Sequence, residues 1–581
     1  MSKLNVDQKS IKLLFSDKKA DFLIPDYQRP YAWDDEKHCQ TLWDDIFSFA
    51  FPDNDYHKFK QDDEYFLGSI VTFKNENGKL EVIDGQQRLT TLMLLLRAFY
   101  AKFENMNDIE TKRTREMISQ CIWKTNEFGE ADLDILKINS EVATDNDKDE
   151  FLMILKTGEI NKEQKSNYAR NFRFFKNKID EFILKSPMSF AYFPARILNN
   201  CILLPIEAES QDTALRIFST LNDRGLSLSD ADIFKAQFYK FYKSKGEKDS
   251  FITKWKELEE LCIDLFKPIA GTPMDELFAR YMYYERAKQG NKSSTTEALR
   301  KFYEKDKYKL LKQEETFENL IVLAKFWQDV TRQNNERFSD ETLRKLYILN
   351  YAPNGMWHYF VSVYFMHNKD RDEKLDDKKF ELFLTKAIAF IWTYAVINPG
   401  VNALRTPVYA EMVNIINNKG VNFTDFKFDK ENIKIHFENY SFNNGRPITK
   451  SMLTWWAFNN SEQKLPKQEI VFEIEHIFAK KRHEIDKNLK NDKNLESLGN
   501  KSLLEKNINI RASDYKFSDK IKYYKGFTTN KGKIKDGTQI NELIEISNNK
   551  GDFTEKDIEG RNNKIIECFL FFLSENNLLK N

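Results

Sequence analysis

The 581 residues carry 90 Lys and Arg against 90 Asp and Glu, so bulk charge calls for no nucleic acid partner, and any basic face must come from local distribution. The length exceeds what one hydrophobic core organises, so two or three domains are expected, with 14% aromatic residues, 48 of them Phe, to fill them. The 31% charged content, the absence of an apolar run long enough for a bilayer and an amino terminus without a signal-peptide core predict a soluble, cytoplasmic chain with no membrane partner.

In chain order, the first informative segment is "IPDYQRPYAW", where Pro25 and Pro30 stiffen an extended stretch presenting Tyr27, Gln28, Arg29, Tyr31 and Trp33. That mix can stack on a base and hydrogen-bond its edge or a phosphate; the competing arrangement is a core-capping loop with its aromatics packed inward. Tyr65–Val71 and Leu80–Ile83 then read as strands of a hairpin turned at Asn77-Gly78. Asp84-Gly85-Gln86-Gln87-Arg88 follows at once, and Leu89–Tyr100 reads as an apolar helix. A strand-to-helix junction of this kind binds anions through open backbone N–H groups, the helix dipole and the Arg88 guanidinium. Gly85 lets the backbone approach closely, and Gln86 or Gln87 can orient a water. Alternatively Asp84 caps the helix and pairs with Arg88 one turn on.

Further along, Arg170, Arg173 and Lys176 in "NYARNFRFFKNK" fall at helical spacing with Phe between them, a pattern able to contact DNA but better matched by an amphipathic helix with a solvated stripe. "ALRIFSTLNDRGLSLSDADIFK" places Asn222-Asp223-Arg224-Gly225 at a turn between two helices. The middle of the chain is predicted helical, with segments such as Phe251–Phe266, Met274–Lys288, Thr316–Gln333 and Phe380–Ile397. Sparse Gly and Pro leave no linker, and turn residues put breaks near Ser244 and Asn443, giving domains at 1–244, 245–443 and 444–581.

Towards the carboxyl end, Glu475 and His476 close the apolar stretch Ile470–Ile474, and Leu498-Gly499-Asn500 and then Asn509 follow. A strand delivering a carboxylate and an imidazole, a turn, and a later helical Asn form the donor set of a one-metal centre that hydrolyses a phosphodiester. Neighbours on a strand point to opposite faces, so Glu475 and His476 converge only if the strand ends there and the chain bends. The bland alternative is a surface pair at a strand end with two turn asparagines. From Lys480 to Lys535 basic residues outnumber acidic ones about two to one, including Lys480, Lys481, Arg482, Lys516, Lys520, Lys522 and Lys525, a distribution that tracks a phosphate backbone. Five scattered cysteines with no Cys-x-x-Cys pair argue against disulfides and a zinc staple.

"EIEHIF", "SLGNKSLLEKNINI" and "FSDKIKYY" resemble the His-Me finger (HNH) nuclease domain at the carboxyl end of GmrSD-type restriction proteins. "IPDYQRPYAW", "YFLGSIV" and "VIDGQQRLTTL" resemble the amino-terminal module of the same family, whose core resembles the ParB/sulfiredoxin fold. The resemblance implies an α+β multidomain protein: a ParB/sulfiredoxin-like module, a largely helical middle, and a ββα-metal nuclease embedded in helices. By position it implies His476 as general base, Glu475 and Asn509 as ligands of Mg²⁺ or Mn²⁺, Asn500 as the Asn that shapes the turn and Lys520 as the lysine that follows. It implies a nucleoside triphosphate at Asp84, Gly85, Gln86, Gln87 and Arg88, with Tyr27, Gln28 and Arg29 from the upstream motif, and places the 222–225 turn beside it. Two departures stand out: Ala479 where a proline is usual and Lys501 where an apolar residue is usual. The implied function is an NTP-dependent, modification-dependent type IV restriction endonuclease acting on double-stranded phage DNA, alone or as a homodimer. The rivals are a catalytically degenerate DNA-binding sensor and an NTPase-regulated nuclease toxin.

Overall fold

The computed structural model describes residues 5–104, 106, 108–186, 189–221, 229–467, 469–486, 489–530 and 532–580. The chain is mixed α+β and multidomain, and its internal contacts divide it into two units, Met1–Glu257 and Leu258–Asn581. The division falls within the helix Lys248–Leu265.

The first unit is built on a mixed sheet of β1 (Asn5–Val6), β2 (Lys9–Ser10), β3 (Phe22–Ile24), β4 (Tyr65–Lys74), β5 (Leu80–Asp84), β8 (Ile138–Ser140) and β9 (Cys201–Ala208). Its path is β1-β9-β4-β5-β3-β8 with β2 also on β9, while β6 (Trp123–Thr125) and β7 (Ala131–Leu136) form a separate ribbon. The expected hairpin is β4–β5. Asn75 accepts from the N–H groups of Asn77 and Lys79, and Gly78 takes φ 77° at the turn. β3 runs parallel to β5, with Phe22 opposite Leu80 and Leu23 opposite Glu81, so the two strands release their chains at the same end of the sheet. That register brings the Pro25–Trp33 loop beside the turn at Asp84-Gly85.

The helix Gln86–Phe103 begins earlier than its apolar run suggests and is buried along most of its length, including Leu92, Met93, Leu94, Leu95 and Leu96. It leans on an aromatic cluster in which Trp43, Phe99 and Phe193 meet face and edge. Each such side chain taken from water contributes about 1.5–3 kcal/mol, which anchors the helix and hence its amino terminus. The helix Asn167–Lys185 turns Phe172, Phe175, Ile179 and Phe182 inward and leaves Arg170 and Lys176 exposed, the solvated stripe expected from spacing.

The second unit is largely helical in its first half, with helices Pro273–Lys288, Glu314–Thr331 and Asp377–Ile397 where the sequence predicts them and Met356–Asn368 besides. One expectation needs correcting. Asp377–Ile397, at a mean hydropathy of 1.6, is long and apolar enough to cross a membrane, because four of its five charges sit in its first five residues; 61% of its apolar window is buried, as in a core helix. Beyond it, β10 (Phe472–His476) pairs antiparallel with β11 (Lys501–Glu505), and the short helix Lys506–Ala512 follows directly, a β–β–α unit.

The helix Glu555–Glu575 packs against the turn that precedes β11. Arg561 donates to the carbonyls of Leu498, Gly499 and Lys501 and forms a two-pronged pair with Glu542. Gly499 is tied to this contact: a Cβ there would lie 2.0 Å from the Ile558 carbonyl oxygen and 2.8 Å from Asn562 Cβ. Replacing Gly499 by Ala must push helix and turn apart, and overpacking of this kind costs about 1–3 kcal/mol. A lower thermal midpoint for Gly499→Ala, measured beside Gly551→Ala in open space, is the expected outcome.

Candidate functional site

β10 stops at His476, and one buried residue makes it stop. The Asn500 carbonyl accepts from Ile477 N (2.9 Å), its side-chain oxygen accepts from Phe478 N (2.7 Å), and its amide donates to the Phe478 and Leu495 carbonyls (3.1 Å each). With the strand closed off, Glu475 and His476 line one cleft of about 190 Å³ together with Asn509, Asp514 and Lys520. Both residues stay in the β10–β11 ladder, Glu475 opposite Ser502 and His476 opposite Lys501, and both line this cleft. Asn500 itself is fully buried and spent on the turn, so its place is structural and no reacting atom can reach it.

Within the cleft, Glu475 is 4% exposed. Lys520 Nζ and the Tyr524 hydroxyl both donate to its Oε1, at 2.6 Å each, and Lys520 also donates to the His476 carbonyl at 2.7 Å. Burial pushes the Glu475 carboxyl upward, and the Lys520 ammonium and Tyr524 hydroxyl oppose that shift. Lys520 is therefore a buried partner of the carboxylate, which removes it from the basic residues able to track a phosphate backbone; Lys480, Lys481, Lys516, Lys522 and Lys525 are exposed.

The His476 ring has a buried Nε2 with no hydrogen-bond partner. Burial, then the nearby Lys501 ammonium, push its pKa from 6.5 down to about 4, so the imidazole is neutral near pH 7. Neutral imidazole is the proton-accepting form. Asn509, on the helix Lys506–Ala512, donates through its amide to Glu473 Oε2 at 2.9 Å, leaving its oxygen as the end available to a cation.

Glu475, Asn509 and Asp514 thus bring oxygen donors to one cleft. Among the described residues no three His, Cys, Asp or Glu side chains gather as a cage. Few protein oxygens with room for water and phosphate is the donor set suited to Mg²⁺ or Mn²⁺, so these residues fit the implied ion. Asp514 and Tyr524 were not foreseen. Tyr524 had a readable signal, one helical turn after Lys520 and so on the same face.

In the first unit, Gly85 occupies the N-cap position of Gln86–Phe103 in the left-handed region (φ 89°) with no side-chain cap. Asp84 therefore does not cap the helix. Burial raises its carboxyl, opposed by Arg88 and Arg29. Arg88 Nη1 donates to the Ser69 carbonyl at 2.7 Å, and its guanidinium lies so close over Gly68 that a Cβ there would approach it to 2.8 Å. Gly68 (φ 118°) in "YFLGSIV" is thus the seat of Arg88.

The glutamines have protein partners of their own. Gln87 accepts from Ala32 N and Trp33 N (2.7 and 3.2 Å) and donates to the Pro30 carbonyl; Gln86 donates to the Arg29 carbonyl; Gln28 donates to the Val82 and Ile83 carbonyls. All three are buried and hold the 25–33 loop to the strand-helix junction. Tyr27 packs on Tyr239 (5.2 Å between centroids), and Tyr31 stacks on Tyr168 (4.8 Å) with its hydroxyl on Thr91, so both aromatics face inward. Arg29, Trp33, Asp84, Gly85 and Arg88 keep partial exposure. The turn at Asn222-Asp223-Arg224-Gly225 lies outside the described residues.

Residues 11–239 match the GmrSD restriction endonuclease N-terminal domain, and residues 424–568 match the GmrSD restriction endonucleases C-terminal domain. No curated protein matches the chain at a meaningful level.

His476 generates a pH prediction for the metal-free protein. The unfolded imidazole gains its proton near 6.5 and the folded one near 4, so the unfolded state binds more protons in that window. Stability from this group is complete above about 6.5 and is lost as pH falls through 4. An NMR titration is expected to show one imidazole, absent in His476→Gln, protonating well below the ordinary histidine range; a midpoint near 6.5 would contradict the buried environment.

Proposed function

We infer that this chain, which belongs to the GmrSD restriction endonuclease family, cuts or nicks modified foreign DNA by metal-assisted phosphodiester hydrolysis under control of a nucleoside triphosphate. DNA is the partner that membership of a restriction endonuclease family implies. The observation that carries the catalytic reading is the shared cleft of Glu475, His476 and Asn509, entered by a neutral imidazole and lined with oxygen donors.

In this reading His476 takes the proton from the attacking water, a contribution worth about 10²- to 10⁴-fold in rate. Glu475 and Asn509 hold the divalent ion, which when bound supplies charge stabilisation to the phosphate and the leaving oxygen. Lys520 and Tyr524 fix the Glu475 carboxylate from behind. Asn500 keeps the two strand-end residues turned to one side. The exposed lysines at 480, 481, 516, 522 and 525 track the DNA backbone.

The nucleotide reading rests on the amino terminus of Gln86–Phe103. Its first turn carries no side-chain cap, Gly85 permits close backbone approach, and Arg88 and Arg29 stand beside it, the arrangement that receives a phosphate. The buried glutamines make the loop and the helix start one rigid frame for that phosphate. We assign Asp84, Gly85, Arg88 and Arg29 to the nucleotide and Gln28, Gln86, Gln87 and Tyr27 to the frame.

The test is a panel of phage DNAs differing only in base or backbone modification, incubated with the purified protein, Mg²⁺ or Mn²⁺, and each NTP in turn. Cleavage of one class of DNA, reduced about 10²-fold or more in His476→Ala, is expected. Arg88→Ala should change NTP hydrolysis and cleavage together. Metal-dependent cutting that persists in His476→Ala would remove the catalytic reading, and unchanged hydrolysis and cleavage in Arg88→Ala would remove the nucleotide reading alone.

A further inference from the structure

Lys501 stands where the family resemblance leads one to expect an apolar residue, and the structure gives it an occupation. It opens β11 directly opposite His476, so the two side chains share a face of the ladder. Lys501 is completely buried, and its ammonium donates to Asn444 Oδ1 and to Glu496 Oε2 at 2.6 Å each. The other Glu496 oxygen, Oε1, lies 3.7 Å from His476 Nε2 and 3.8 Å from Lys480 Nζ. One carboxylate is thus gripped from below by Lys501 and turned towards the imidazole nitrogen that has no hydrogen-bond partner.

A pair whose ammonium is fully buried beside a carboxylate still 24% exposed is a poor device for stability alone, since an apolar side chain of similar volume in place of the buried lysine holds a fold as well or better. An apolar side chain at 501 would fill this site without needing Asn444 or Glu496. What the pair supplies that packing cannot is a fixed negative charge beside His476.

We propose that Glu496, anchored by Lys501, is a positioning residue for His476: its carboxylate fixes the tautomer and rotation of the imidazole by facing Nε2, and so presents Nδ1 to the water that is to be activated. When the water loses its proton to Nδ1, the Nε2–H stays on the ring, and the ionised Glu496 lies against the imidazolium that forms. No proton passes to Glu496. Lys501 keeps the carboxylate in place and ionised throughout the cycle. This inference rests on the reading of His476 as the base.

Glu496→Gln alone would strand the buried Lys501 ammonium, so the informative variant is the double substitution E496Q/K501M, which removes both charges together. Its thermal midpoint is compared with that of the parent, and K501M alone, which keeps the carboxylate but frees it, serves as the second variant. The assay is cleavage, with Mg²⁺, of the phage DNA that the parent protein cuts. E496Q/K501M is expected to lose about 10- to 100-fold in kcat with KM and DNA affinity unchanged, K501M to lose less, and neither change to slow the residual single-turnover rate of His476→Ala. A group acting only on the fold would move KM and would slow both backgrounds equally. Parental kcat in E496Q/K501M, or an equal loss in the His476→Ala background, would overturn the proposal. Full activity in His476→Ala would instead overturn the assignment of the base, which keeps the two failures apart.

Discussion

The candidate cleft depends on one clasp. A strand sends neighbouring side chains to opposite faces, and nothing in Glu475 or His476 can change that by itself. Asn500 can, because both ends of its amide seize the backbone of Phe478, just past the last ladder bond from Ile477 to the Asn500 carbonyl. The clasp is itself gripped: three carbonyls between Leu498 and Lys501 are held by Arg561, and Gly499 lets the helix come close enough for that grip. Glu475, His476 and Asn509 line one cleft above this chain of contacts.

Behind the cleft, a second layer sets the chemistry of what the clasp brings together. Glu475 is buried deeply enough to disfavour its charge, and Lys520 and Tyr524 restore the balance. Removing one partner from such a buried pair typically costs about 3–5 kcal/mol, so these residues hold the site in shape as well as in charge. The first unit follows the same plan at a different scale. Two buried glutamines bind the 25–33 loop by its own backbone, a third, Gln28, reaches from the loop to the carbonyls of β5, and a glycine vacates the space that Arg88 fills. In both places the polar side chains that carry the motif's signature serve mostly as scaffolding, with a few left to face outward.

This division explains what could be read from the sequence. The β4–β5 hairpin was legible because Asn-Gly permits few alternatives, and the long helices because their apolar spacing is regular. The convergence of Glu475 and His476 was legible only as a condition, since it hangs on a hydrogen bond 22 residues away. The inward packing of Tyr27 and Tyr31 was not legible: an aromatic on a proline-stiffened loop reads the same whether it meets a ligand or Tyr239 and Tyr168. Glu496 and Lys501 were hidden for a similar reason. A lysine in an otherwise apolar strand looks like a defect until the carboxylate that faces it is placed in space. The helix Asp377–Ile397 shows the opposite error, where hydropathy alone cannot separate a core helix from a spanning one.

The Arg561 grip also has a bearing on how the protein is made. Its carbonyl partner at Gly499 lies 62 residues upstream, and a nascent chain emerges in order, at about 5–20 residues per second. For several seconds a ribosome therefore carries a complete set of cleft side chains with nothing to clamp the turn beneath them. An unfinished copy therefore carries the cleft side chains before the contact that steadies the turn beneath them can form.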